Sequence, residues 1–417
     1  MHDFHYSNNE LFCEDVLVAE IAGEVKTPFY LYSYEALRRH FRAFDDSFKG
    51  VGHLTCFSMK SNSNVAVLRL FANEGGGADI VSGGELYRAL RAGIDPGKIV
   101  YSGVGKTVEE LEYAVSSDIL MFNSESEQEL IALNDVAKRL NRKARVSIRV
   151  NPDVDPQTHP YISTGLKENK FGIDIKKSFE QYRVAAGLGN LTVTGVSCHI
   201  GSQLTRVSPF VDSLRKIKDL IAGLKDAGIR IRYLDMGGGL GITYNEEKPP
   251  LPVEYAEAIK KELGNTDLTL ILEPGRVIVG NACILVAKVL YTKSTGDKNF
   301  IIVDAAMNDL MRPSLYGSYH GIRAVKAKGG QRIKADIVGP ICESGDFLAK
   351  ERDIEPLDRG DLLAVMSAGA YGFTMSSTYN SRPRVAEVMV KGNIYSVIRK
   401  RETYEDLVRG EEIPDFI

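Results

Sequence analysis

A lysine at position 60 ends an apolar run, His53-Leu54-Thr55-Cys56-Phe57-Ser58-Met59, and a polar turn, Ser61-Asn62-Ser63-Asn64, follows at once. If that run is a buried strand, it leaves a single amine at its mouth. An amine held partly out of water is neutral often enough to attack a carbonyl and form a Schiff base. A solvated lysine at a strand end is the ordinary alternative, since lysine is mostly exposed. Other groups bear on the choice. Gly237-Gly238-Gly239 follows another strand-like run; bare backbone there can approach a ligand closely, and successive N–H groups form a nest for phosphate oxygens. Ser202 can donate to the same anion. Glu273 can bond a ring nitrogen and hold its proton, and His199 can lie flat against an aromatic ring. Taken alone, the glycines read as tight turns and the histidine as a core residue satisfied by backbone. Taken together, amine, phosphate nest, carboxylate and imidazole describe a pocket for pyridoxal phosphate.

Such groups meet only if the chain brings distant strand ends to one place. Eight short β-rich runs, at 54–59, 78–81, 99–102, 119–122, 145–150, 193–200, 231–236 and 269–273, alternate with helix-period segments at 65–73, 85–92, 125–140 and 209–227, among others. Alternation of this kind signals βα units around a parallel sheet, and eight of them point to a TIM-like (β/α)8 barrel. An open doubly wound sheet is the alternative, but it shows fewer strands and a Gly-rich turn after the first, which is missing. In a barrel the catalytic groups sit at the C-terminal strand ends. Lys60 follows the first run, Ser82-Gly83-Gly84 the second, His199-Ile200-Gly201-Ser202 the sixth, the glycine triplet the seventh and Glu273-Pro274-Gly275-Arg276 the eighth.

Beyond about Val277 the runs at 284–290, 300–303, 334–338, 362–366, 384–390 and 393–397 are strand-like with turn signals between them. The expected fold is therefore α/β: a barrel over residues 33–276 that binds the cofactor, and a mainly antiparallel β-barrel or sandwich domain from residues 1–32 and 277–417. The stretch 11–32 is expected to add a strand to the second domain. Residues 151–174 read as either a rim loop that closes over the site or a plain surface loop.

Composition excludes several classes. At 417 residues the chain exceeds one ordinary core, so two domains are expected. With a formal charge of -3 and interspersed signs it has no basic stripe for nucleic acid and no polybasic membrane anchor. The start lacks the basic and apolar regions of a signal peptide, so a cytoplasmic location is expected. Five cysteines without a Cys-x-x-Cys pair suggest neither a disulfide framework nor a zinc site, and no metal is expected.

Six segments in register carry a resemblance across nearly the whole chain: Phe57-Ser58-Met59-Lys60-Ser61-Asn62, His199-Ile200-Gly201-Ser202-Gln203, Met236-Gly237-Gly238-Gly239-Leu240-Gly241, Glu273-Pro274-Gly275-Arg276, Cys342-Glu343-Ser344-Gly345-Asp346 and Tyr379-Asn380-Ser381-Arg382-Pro383-Arg384. In these the sequence resembles the diaminopimelate decarboxylase family, pyridoxal phosphate enzymes with an alanine racemase-type barrel. It departs in one place, with Phe57-Ser58 where the family usually has Tyr-Ala. The resemblance implies that Lys60 holds the cofactor through a Schiff base. It assigns the phosphate to Gly237, Gly238, Gly239, Gly275 and Arg276 with Ser202, the ring to Glu273 and His199, and counts Asp79 among the cofactor-binding residues. Tyr371 would reach cofactor and substrate from the second domain. Arg276, Arg312, Tyr316 and Glu343 would read the far carboxylate and ammonium of the substrate. Cys342 would be a proton donor delivered into the partner's site, implying a homodimer with shared active sites and dimer contacts from the β domain. The implied reaction is decarboxylation of meso-2,6-diaminopimelate to L-lysine and carbon dioxide, the last step of lysine biosynthesis.

The same residues bear on rival readings. Gly103-Val104-Gly105-Lys106-Thr107 suggests a phosphate loop, but Val100 stands where that loop needs its first glycine. The segment from Gly237 to Ile242 lacks the third glycine of a dinucleotide fingerprint. Decarboxylation of ornithine, arginine or carboxynorspermidine is the enzyme alternative, although a substrate with only a distal ammonium leaves Arg276 and Arg312 without a carboxylate to read. Alanine racemase places an arginine, not a carboxylate such as Glu273, at the ring nitrogen. A non-catalytic pyridoxal phosphate carrier would consist of the barrel alone, whereas here a long segment with Cys342, Glu343 and Tyr371 follows it.

Overall fold

Eight parallel strands pair in sequence and the last pairs with the first: β1 His53–Ser58, β2 Gly77–Ile80, β3 Ile99–Tyr101, β4 Met121–Ser124, β5 Ala144–Asn151, β6 Leu191–Ser197, β7 Tyr233–Asp235 and β8 Thr269–Leu272. The ring is a closed barrel. The computed structural model describes residues 3–155, 170–296 and 298–417; most of the expected rim loop at 151–174 therefore lies outside the described residues.

Period-two geometry explains how this barrel carries a site. Cys56, Val100, Leu120, Met121 and Ile271 cluster in the barrel, with Leu54 and Tyr233 packed against them. Two residues further along each strand the same face turns polar: Cys56 gives way to Ser58, Val100 to Ser102, Met121 to Asn123, Tyr233 to Asp235 and Ile271 to Glu273. An apolar plug thus underlies a polar layer at the C-terminal ends, and all five of these polar residues are buried.

The surrounding helices hold the strand ends in place with their caps. Ser126 caps Glu127–Arg139, which turns Leu130, Leu133, Val136 and Ala137 inward at helical spacing. Asn64 caps Val65–Asn73 by accepting from the Ala66 amide, so the polar turn after Lys60 is also a helix start. Ser82 does the same for Gly83–Ala92, which gives the Ser82-Gly83-Gly84 segment a structural role. Thr107 caps Val108–Ser116, and Lys106 is buried against the Gly103 and Asn123 carbonyls and Glu129, a structural use of the segment that suggested a phosphate loop.

The chain divides into two compact units, Arg38–Thr243 with Glu247–Ile278, and Met1–Leu37 with Tyr244–Glu246 and Val279–Ile417. The second unit takes three residues, Tyr244–Glu246, from within the expected barrel span. Its main sheet is mixed. Phe29–Ser33 lies between Cys283–Thr295, antiparallel, and Ala386–Lys391, parallel, and Lys298–Val303 runs parallel to Ile333–Val338. The other pairings of that sheet are antiparallel. A separate three-stranded sheet precedes it, Phe4–Ser7, Glu10–Cys13 and Val16–Leu17. Among the described residues no helix is long and apolar enough to cross a membrane.

Candidate active site

Lys60 stands just past β1, and its Nζ is 2.7 Å from Oδ2 of Asp79, which β2 delivers from the neighbouring position and which is fully buried. Ser58 donates to the same oxygen at 2.7 Å. A buried carboxylate costs several kcal/mol unless it is paired and hydrogen-bonded, so Asp79 and Lys60 hold each other at the rim. Oδ1 of Asp79 has no hydrogen-bond partner among the described residues. Lys60 itself remains a third exposed, reachable by a ligand.

The glycine triplet after β7 is bare by necessity. A Cβ on Gly238 would stand 2.0 Å from the Glu273 carbonyl oxygen, and one on Gly239, at φ +115, would stand 2.4 Å from that of Gly201. No side chain fits, and what remains is a cradle of backbone of the kind phosphate oxygens require. Gly238 donates its amide to Nδ1 of His199 at 3.1 Å. That nitrogen accepts, so the ring proton is on Nε2. Burial, with Arg149 and Lys60 nearby, pushes the His199 pKa well down, and the imidazole is neutral. Beside the cradle, Arg276 donates from Nη2 to Ser202 Oγ at 2.9 Å, and Gly275 packs so tightly that a Cβ would lie 2.9 Å from Ser61 Oγ.

Glu273 follows β8 and is one of two carboxylic acids in a common network. Asn123 donates from Nδ2 to Asp235 Oδ2 at 2.8 Å and approaches Glu273 Oε1 at 3.5 Å, while Ser147 donates to Asn123 Oδ1 at 2.8 Å. Asp235 also receives the Gly237 amide at 2.9 Å. Burial pushes the Asp235 pKa up to about 6 and that of Glu273 well above the ordinary range, with each carboxyl acting on the other. The pair therefore retains a proton near neutrality, available to a ring nitrogen placed against Glu273. Asp235, Asn123, Ser102, Ser147 and Ser58 escaped the sequence reading, although a buried acid in a strand is an available signal, since Asp is depleted there.

The second unit holds the remaining candidates. Arg312 is buried at the start of the helix Arg312–Tyr316, not a surface loop residue, and donates to His320 at 2.9 Å and to Ser318 Oγ at 3.3 Å. Tyr316 is partly exposed at the other end of that helix. Ser314 donates to the Gly345 carbonyl at 2.6 Å and so ties this helix to the segment bearing Cys342 and Glu343. Asp346 braces the segment from below by accepting the Ile341 and Met307 amides. Glu343 accepts from the Tyr379 hydroxyl at 2.7 Å, and the Cys342 amide donates to Asn380 Oδ1 at 2.9 Å. Cys342 is exposed, whereas the other four cysteines are buried and burial raises their thiol pKa values. Tyr371 sits at φ +56, a conformation rare for a non-glycine residue and one that collects at functional sites. Among the described residues no group of acids, histidines and cysteines is placed to hold a metal.

A lysine paired with a buried acid at the C-terminal rim of a closed barrel, bare backbone beside it and an acid pair that keeps a proton are the features a pyridoxal phosphate enzyme requires. Comparison with known proteins agrees: the family described as "Pyridoxal-dependent decarboxylase, pyridoxal binding domain" matches residues 34–280. Diaminopimelate decarboxylase of Aquifex aeolicus is 52% identical over 404 residues, 97% of this chain and 96% of that protein. The crystal structure of diaminopimelate decarboxylase from Helicobacter pylori complexed with L-lysine superimposes with a TM-score of 0.91 at 44% identity, covering 94% of this chain and 98% of that one. The M. jannaschii enzyme, also in complex with L-lysine, gives 0.95 at 38% identity over 99% and 98%. The chain belongs to the diaminopimelate decarboxylase family, carboxy-lyases that depend on pyridoxal phosphate.

Proposed function

We infer that the barrel rim carries out the reaction of this family, removal of one carboxylate from meso-2,6-diaminopimelate to leave L-lysine and carbon dioxide at the end of lysine biosynthesis. The observation that carries the reading is the Lys60–Asp79 pair at 2.7 Å beside a backbone cradle that admits no side chain. Pyridoxal phosphate, when bound, supplies the aldehyde that condenses with an amine and the ring that takes up the electron pair left by the departing carboxylate. The chain supplies the rest. Lys60 Nζ is the nucleophile, and the carboxylate of Asp79 is placed to take the proton an ammonium must shed before it can attack. Gly237, Gly238, Gly239, Gly275, Arg276 and Ser202 would hold the phosphate. Glu273 would keep a proton at the ring nitrogen, and neutral His199 would lie against the ring without adding a competing charge.

At the distal end of the substrate, Arg276 and Arg312 bind the carboxylate through planar forks, Tyr316 adds a hydroxyl and Glu343 takes the ammonium. Tyr371 would reach cofactor and substrate. Holding that end orients the bond to be broken. Cys342 delivers the proton that replaces the carboxylate, acting in the partner subunit of a homodimer in the cytoplasm; its exposure and its tethered amide support this role.

The direct test is a substrate panel. Purified protein with pyridoxal phosphate is incubated separately with meso-diaminopimelate, ornithine, arginine and carboxynorspermidine, and carbon dioxide and product amine are measured. Only the first is turned over efficiently; release from ornithine alone rejects the distal-end assignment. For the shared site, Cys342→Ala slows turnover by roughly 10²-fold, the scale of one missing proton donor. Mixing it with Lys60→Ala protein restores up to a quarter of the activity through hybrid dimers with one intact site. Absence of recovery after subunit exchange removes the shared-site proposal.

A further inference from the structure

His320, fully buried and distant in sequence from every recognisable motif residue but Arg312 and Tyr316, is placed to do more than fill space. The helix that begins with Arg312 stops at Gly317, where a φ of +60 turns the chain and carries Ser318 and His320 back toward the arginine. Nδ1 of His320 lies 2.9 Å from the Met366 carbonyl oxygen, and Nε2 lies 2.9 Å from Nη1 of Arg312. A carbonyl can only accept and a guanidinium can only donate. The ring must therefore carry its proton on Nδ1 and present a bare Nε2 lone pair, so the carbonyl of Met366 selects the tautomer that Arg312 needs. Ser318 Oγ receives Nη2 at 3.3 Å. Tyr244 completes the setting: its ring lies under the guanidinium, 4.6 Å from centroid to Cζ, and packs edge-on against the imidazole at 5.3 Å and 75°.

Two hydrogen bonds and a stacked face fix both the position and the plane of the guanidinium. A planar fork recognises a carboxylate only when its plane contains the carboxylate oxygens, so fixing that plane before the substrate arrives removes an ordering loss from binding. We propose that His320 is a positioning residue for substrate selection, holding Arg312 as a neutral acceptor so that it discriminates amino acids with a distal carboxylate from those without one. This deepens the assignment of Arg312 to the distal carboxylate and rests on it.

The test compares two ligands that differ in that carboxylate, L-lysine, which keeps it, and 1,5-diaminopentane, which lacks it, as inhibitors of the holoenzyme. In His320→Leu the KM for meso-diaminopimelate and the Ki for L-lysine both rise roughly 10- to 100-fold, the range for removal of a hydrogen bond to a charged group. The Ki for 1,5-diaminopentane and kcat at saturation change less than about threefold. His320→Gln, whose carbonyl oxygen can take the Nε2 position, recovers most of the loss. His320→Asn keeps a donor toward Met366 while withdrawing the acceptor from Arg312, and it carries the same comparison if the leucine variant does not fold. Arg312→Ala separates the two levels of the claim. If it leaves the ratio of the two inhibition constants unchanged, the distal-carboxylate assignment fails; if it collapses the ratio while His320→Leu and His320→Asn do not, the positioning role is overturned.

Discussion

Replacing Lys60 with alanine stops decarboxylation, by on the order of 10⁵-fold or more, the scale on which removal of a covalent nucleophile acts. Borohydride treatment of the wild-type protein with pyridoxal phosphate fixes the cofactor on this side chain, identified by mass spectrometry of the labelled peptide, and the variant shows no label there. The size of the effect follows from the setting. Among the described residues no second lysine pairs with Asp79, and Ser58 would be left as the only hydrogen-bond donor to Oδ2. A fully buried carboxylate that loses its cation is poorly solvated, so the variant also unfolds at a lower temperature, by a few degrees, an amount limited because Lys60 is a third exposed and water partly replaces it. Label on another side chain, or a rate within tenfold of wild type, contradicts the assignment.

Glu273→Gln is expected to slow turnover by roughly 10²- to 10³-fold while the protein still takes up cofactor, the scale on which removing one preorganised electrostatic interaction destabilises a transition state. Glutamine keeps the shape and can still bond a ring nitrogen, but it holds no transferable proton. The same variant has a signature that does not involve activity. Asp235 and Glu273 release their protons near pH 4 in the unfolded chain. In the folded protein burial holds the first until about pH 6 and keeps the second well above its ordinary range. The folded state therefore binds more protons than the unfolded state above about pH 4, and the pair's contribution to stability falls as pH rises through the folded values. The thermal midpoint of the cofactor-free variant should gain on wild type between pH 4.5 and 7.5, and a difference that stays flat across that range contradicts a shared buried proton.

Much of the fold was legible because it is written locally. The eight barrel runs and the helices 65–73, 125–140 and 209–227 follow from periods of two and 3.6, and each observed element lies within a few residues of its expected place. The strand Phe347–Ile354 was not legible: its centre is Lys350-Glu351-Arg352-Asp353, which hides the alternation. It forms the edge of its sheet, pairing with Ile333–Val338, and charged residues suit an edge that must resist further pairing. The expected antiparallel domain likewise contains two parallel pairings, Phe29–Ser33 with Ala386–Lys391 and Lys298–Val303 with Ile333–Val338. Strand direction between segments that are not neighbours in sequence leaves no local trace.

The site divides in the same way. The sequence alone determined which chemical groups lie at the barrel's C-terminal rim: Lys60, His199, the glycine triplet, Glu273 and Arg276, because βα alternation places strand ends together whatever their separation. Only the tertiary structure decided what each group touches. Asn123 reaches Asp235 across 112 positions and approaches Glu273 across 150, and His320 holds its tautomer for Arg312 through a carbonyl 46 positions away. The protonation of a buried acid and the plane of a guanidinium are set by how closely such partners approach and how little water remains between them, and those quantities exist only once the barrel has closed and the second unit's strands have paired.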